Sequence, residues 1–66
     1  MKNNLKELRQ KEQISQDDLA SILRVSRQTI NSIETGKFDP SLKLVMKMTQ
    51  HFNVPLEQIF IYEEEK

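Results

Sequence analysis

Gln16 to Lys37, QDDLASILRVSRQTINSIETGK, reads as two short helices joined by a tight corner, a unit able to lay one helix in a DNA groove. In the first half, Leu19, Ala20, Ile22 and Leu23 form a helical stripe that other parts of the chain must cover. Ser15, followed three residues later by Asp18, fits a capping box. The serine oxygen accepts an orphan backbone N–H and the carboxylate sits in the positive first turn, so a helix is predicted over Gln16 to Leu23.

Arg24 and Val25 form the corner, and Ser26 is a natural N-cap for a second helix over Arg27 to about Glu34. Ile30 and Ile33 lie three residues apart on one side and define a narrow buried face. Gly36 closes the helix, because a left-handed residue after a helix end costs glycine nothing. The rest of the surface carries Arg27, Gln28, Thr29, Asn31 and Ser32, where an ordinary solvated helix favours Glu and Lys. These side chains can read DNA: Arg pairs with guanine O6 and N7, Gln and Asn with adenine N6 and N7, and a Thr methyl touches a thymine methyl. A weakly polar surface helix has the same composition, and five residues do not separate the two readings.

The spacing extends beyond this segment. I-S-Q-x-x-L-A at 14–20, V-S-R-Q-T-I at 25–30, I-E-x-G-K at 33–37, P-S-L at 40–42 and F-N-V-P-L-E-Q-I-F at 52–60 together resemble the Cro/CI-type helix-turn-helix family of bacterial and phage repressors. The resemblance covers almost the whole chain. It implies an all-α, compact five-helix domain of the lambda-repressor type, with the motif at about residues 16–35 of a single domain spanning 1–66. It also implies site residues. Arg27, Gln28 and Ser32 fall where the family presents side chains to base edges, Gln16 where the first motif helix meets a phosphate, and Lys37 where the backbone is met; Thr29 suits either role. Arg9 and Glu34 match positions that form a partly buried ion pair in many relatives, the alternative being two solvated charges. The sequence departs from the family pattern at Arg24, where relatives often carry glycine. Either Arg24 takes a positive φ at a cost of about 1 kcal/mol, or the corner uses negative φ. In both cases it brings a cation to the DNA side as a candidate phosphate contact.

Elsewhere the signals are helical, and no run shows strand alternation. Leu5 and Leu8 give a helix over about Asn4 to Glu12 an inward face, with Gln13 at the bend. Asp39 and Pro40 read as N-cap and first helical position of a helix with apolar residues at Leu42, Val45, Met48 or Thr49, and Phe52, stopped at Asn53. Leu56, Ile59 and Phe60 fit a last short helix. Phe38 is expected to pack under its loop, as most aromatics do. Met46 and Met48 read as core and rim filler.

The net charge is zero, with ten Lys and Arg against ten Asp and Glu, whereas a nucleic-acid partner normally leaves a basic footprint. The distribution answers this in part. Up to Lys37 there are seven Lys and Arg against five Asp and Glu, a balance of +2; from Phe38 onward three against five give −2, concentrated at Glu63, Glu64 and Glu65. DNA affinity then rests on a local patch of Arg24, Arg27, Lys37 and Lys43, and few phosphate contacts per copy imply a modest salt slope.

With 66 residues the core is modest, and association with a second copy would help it. The tail IFIYEEEK is too apolar to be wholly solvated. Ile59 and Phe60 either close the core or join Ile61 and Tyr62 against a second copy, and the tail at 59–66 is the candidate dimer surface. No cysteine is present, and His51, the only histidine, is explained by a helix C-terminus, so no metal or cofactor is expected. No long apolar run marks a signal peptide or membrane span, and a cytoplasmic setting is expected. Two functions remain: a homodimeric transcriptional regulator, most plausibly a repressor, on palindromic double-stranded DNA; and an antitoxin-like subunit holding a protein partner through the tail. Nothing resembles a nucleophile with its base or a phosphate-cradling loop, so an enzyme is not expected.

Overall fold

The computed structural model describes residues 1–64. In chain order it contains β1 (Lys2–Asn3), α1 (Leu5–Lys11), α2 (Gln16–Leu23), α3 (Arg27–Glu34), α4 (Leu42–Phe52), a 3₁₀ turn (Leu56–Gln58) and β2 (Phe60–Ile61). The class is mostly helical, with four α-helices where five were expected.

Serine starts three of the helices. Ser15 Oγ accepts the Asp18 N–H at 3.0 Å while the Asp18 carboxylate accepts the Ser15 N–H at 3.1 Å, completing the capping box of α2. Hydrogen bonding from Ser15 to the carboxylate, its backbone N–H first and its side chain second, holds the Asp18 carboxyl below its ordinary range. Ser26 caps α3 through the Thr29 N–H (3.0 Å), and Ser41 caps α4 through the Leu44 N–H (3.2 Å). A serine cap contributes about 1 kcal/mol. Ser41 displaces the expected start of α4 at Asp39 and Pro40, because its hydroxyl satisfies an orphan donor that the Asp39 carboxylate does not reach. Asp39 instead accepts from the amine of Met1 at 3.0 Å.

All four helices stop in the same way, on a left-handed residue: Gln13 (φ 60°), Arg24 (φ 61°), Gly36 (φ 80°) and Asn53 (φ 56°). In each case the N–H of the next residue reaches back five positions: Ile14 to Arg9 O, Val25 to Ala20 O, Lys37 to Ser32 O and Val54 to Thr49 O. These are Schellman ends, which tie off the last carbonyls. Ile14, Val25 and Val54 also pack against the core, anchoring turns that lack glycine. Arg24 therefore takes the positive-φ alternative. After α3 the corresponding residue is Lys37, which is exposed.

Leu5, Leu19, Leu23, Ile30, Ile33, Met48 and Ile59 are fully buried and form one core with Ala20, Leu44 and Phe60. Two apolar expectations fail. Ile22 is 49% exposed, since the buried face of α2 is complete with Leu19, Ala20 and Leu23. Leu42 is 72% exposed, while Leu44 and Met48, four residues apart on α4, are buried in the core with Val45 and Phe52 packed beside them. Met46 is exposed as well.

The expected last helix is reduced to the single 3₁₀ turn after Pro55. The chain then straightens, and β2 pairs antiparallel with β1, Lys2 opposite Ile61 and Asn3 opposite Phe60. Two-residue strands are too short to alternate, and their partners lie at opposite ends of the chain, so local periodicity does not reveal them. Asn4, expected inside α1, precedes it; its N–H donates to Ile59 O at 2.7 Å and its amide to Gln58 O at 3.2 Å. Among the described residues no helix is long and apolar enough to cross a membrane.

Candidate nucleic-acid interface

The sequence of α3 divides it into a mounting face and an outward face. Ile30 and Ile33 are buried in the core, and Asn3 Nδ2 donates to the Ile33 carbonyl at 2.8 Å. Glu34 receives Arg9 in a fork: Nε to Oε2 at 2.7 Å and Nη2 to Oε1 at 3.2 Å, with side-chain exposures of 11% for Arg9 and 3% for Glu34. The third guanidinium nitrogen donates to Ile14 O at 2.9 Å, so one side chain holds α1, the α1–α2 turn and α3 together. The Glu34 hydrogen bonds, opposed by burial, raise the Arg9 pKa, which keeps it charged.

Arg27 and Gln28 are exposed, and Thr29 and Ser32 half-buried, on the outward face. The Thr29 hydroxyl lies 2.8 Å from Ser26 Oγ and belongs to the cap. Gln28, Thr29 and Ser32 share a surface hollow with Ser26 and Phe38. Gln16 sits across the corner with its amide committed to α3: Nε2 donates to Asn31 Oδ1 (3.2 Å) and Glu34 Oε1 (3.1 Å), and Oε1 accepts from Arg27 Nη1 at 3.4 Å. Arg27 also lies 3.9 Å from the Asp17 carboxylate, an exposed pair of small energetic weight.

The remaining cations form a second group. Arg24 and Lys43 line one hollow between α2 and α4 together with Lys47, whose ammonium donates to Leu23 O at 3.3 Å at the negative end of α2. Lys37 is exposed at the end of α3. Gln16 and Arg27 are thus in contact, Arg24 and Lys43 share a hollow, and Lys37 stands apart from both.

A polar helix mounted on a buried ion pair, beside a capped partner helix and a left-handed corner, is the arrangement in which a helix-turn-helix presents side chains to DNA. The helix-turn-helix family model matches residues 5–59. The chain belongs to the Cro/CI-type helix-turn-helix family. An uncharacterised HTH-type transcriptional regulator of Methanocaldococcus jannaschii is 54% identical over 66 residues, covering all of both chains. One from Archaeoglobus fulgidus is 44% identical over all of this chain and 93% of its own, and YgzD of Bacillus subtilis is 43% identical over 98% of each.

Away from the outward face of α3, the surface beside α4 looks quite different. Leu42, Val45, Leu56, Ile61 and Tyr62 line an apolar groove of ≈ 610 Å³. Tyr62 is 79% exposed and Ile61 half-buried. Ile59, expected at a dimer interface, is fully buried within its own subunit, because the 3₁₀ turn points it into the core. Of the 59–66 tail, Glu65 and Lys66 lie outside the described residues.

Sequence reasoning missed several groups. Phe38 does not pack under its loop; it is 50% exposed, since the cap of α3 directs its N–H to Ser32 O (3.2 Å) and leaves the ring beside the recognition helix. Asn31 was noted only by composition, and its contact with Gln16 follows from the helix crossing. His51 Nε2 lies 2.7 Å from Glu12 Oε1, a partner 39 positions away that a helix-end argument does not supply.

Proposed function

We propose that this chain is a sequence-specific, double-stranded-DNA-binding transcriptional regulator acting as a homodimeric repressor on a palindromic operator. The observation carrying this reading is the outward face of α3, whose Arg27, Gln28, Thr29 and Ser32 stand on a helix fixed by Ile30, Ile33 and the Arg9–Glu34 fork. Arg27 and Gln28 take base edges, Ser32 and Thr29 the flanking edges. Gln16 exchanges its Asn31 bond for a phosphate oxygen while continuing to orient Arg27. Arg24, Lys37 and Lys43 set the register on the backbone. With so few cations per copy, two copies are needed for useful affinity, and the apolar groove bounded by Ile61 and Tyr62 supports a dimer; a twofold operator would then set the two α3 helices one DNA turn, ~34 Å, apart. The setting is the cytoplasm, and no catalytic step is assigned.

Selection of bound duplexes from a random library, repeated at two salt concentrations, tests this reading. A palindromic motif is expected. Gln28→Ala should change the preferred base at one position of each half-site, by about 1–3 kcal/mol, while Lys37→Ala should weaken all sequences alike and lower the salt slope by about 1. An unchanged motif with Gln28→Ala would remove that residue from base reading. The apolar groove also suits an antitoxin-like role; a chain that selects no duplex and is monomeric until a small co-expressed protein is added would favour that instead.

A further inference from the structure

Phe38 is a large apolar side chain among groups that do not cover it. Half of it is exposed, and its neighbours in the hollow are Ser26, Gln28, Thr29 and Ser32. Burying a phenylalanine is favourable, so leaving it half in water beside a polar helix face is a cost the fold itself does not relieve.

Its position is rigidly held. Gly36 turns the chain with φ 80°, and Lys37 N–H and Phe38 N–H both donate to Ser32 O, at 2.9 and 3.2 Å. The ring is therefore carried by the last turn of α3 rather than by a loose loop. Thr29 adds apolar character: its hydroxyl is engaged with Ser26 Oγ at 2.8 Å, and its methyl is the group it adds beside the ring. The hollow thus combines an aromatic ring, a threonine methyl and the amide of Gln28.

We propose that Phe38 is a specificity-determining residue that, with the Thr29 methyl, receives the C5-methyl of a thymine next to the base read by Gln28. The inference rests on the DNA-binding reading above and deepens it. Thymine alone among the unmodified bases presents a methyl in the major groove, and apolar side chains distinguish it by that group. Gln28 prefers adenine, so the pair reads a short A·T-rich step within each half-site.

The test uses the selected operator and the full chain, with each thymine replaced singly by uracil, which differs only by the methyl. One position per half-site should lose about fourfold in affinity, the equivalent of one buried methylene. Phe38→Ala should lose most of the discrimination between the thymine and uracil duplexes, with an unchanged melting temperature, and Phe38→Tyr, which keeps the ring, should retain it. Sequence-specific binding with no loss at any uracil, or discrimination that persists undiminished in Phe38→Ala, would overturn this inference and leave the DNA reading standing. Failure to select any motif would overturn both.

Discussion

The recognition face and the α4 face of this small domain are built on opposite principles. On the first, polar side chains are held by other polar groups, Gln16 by Asn31 and Glu34 and Thr29 by Ser26, around the exposed ring of Phe38. On the second, Leu42, Met46, Leu56 and Tyr62 are left exposed. Directional bonds fix angles, which reading base edges requires; apolar surface fixes only area and shape, which is sufficient for association. The C-terminal caps repeat the division. The residue after the left-handed turn is apolar and packed at Ile14, Val25 and Val54, but it is the exposed Lys37 after α3.

The largest effect should come from cutting the recognition face off its mount. Arg9→Ala strands the Glu34 carboxylate in a buried site and should cost about 3–5 kcal/mol, seen as a much lower thermal midpoint by circular dichroism. Arg9→Met combined with Glu34→Leu should recover much of that loss, because no charge is left unpaired. If Arg9→Ala melts with wild type, the mount does not depend on the pair.

Next in size is an attack on the other face. Leu42→Glu should leave monomer stability intact, as Leu42 is 72% exposed, while weakening the proposed dimer by on the order of 2–4 kcal/mol in sedimentation equilibrium. A variant that dimerises as wild type would show that the apolar face serves something other than a second copy.

Smaller changes probe the corner joining the two regions. Arg24→Gly removes a side chain from positive φ and should raise stability by at most about 1 kcal/mol, the relief being offset in part by greater freedom of the unfolded chain. The same variant should lower the salt slope of DNA binding by about 1.

The smallest prediction concerns pH. The folded state holds the Asp18 carboxyl below its ordinary value, so its contribution is complete above the unfolded pKa of about 3.9 and is lost as pH falls through the lower folded value. The stability difference between wild type and Asp18→Asn should accordingly shrink between about pH 5 and pH 2 in acid titrations of the unfolding midpoint.

Much of the fold was legible because its signals are local. Ser15 with Asp18, Ser26 with Thr29, and the Ile30 and Ile33 pair need only four consecutive residues each to be recognised, and α2 and α3 begin and end where those signals put them. What was misread depends on distant partners. The start of α4 turns on whether Asp39 or Ser41 reaches a backbone donor. The burial of Ile59, for which the sequence leaves both core and interface open, follows from its place at the end of the 3₁₀ turn. The exposure of Phe38 is a consequence of the α3 cap rather than of composition.

The sequence by itself determined α2 and α3, their serine starts, and the polar face of a helix mounted on Ile30 and Ile33, since caps and periodicity act over one or two turns. Only the tertiary structure decided that the chain ends meet as β1 and β2, that Gln16 is spent on Arg27, Asn31 and Glu34, and that Phe38 and the α4 face stay uncovered. Those outcomes follow from which surfaces meet when the helices cross, a property of the assembled core rather than of any one segment.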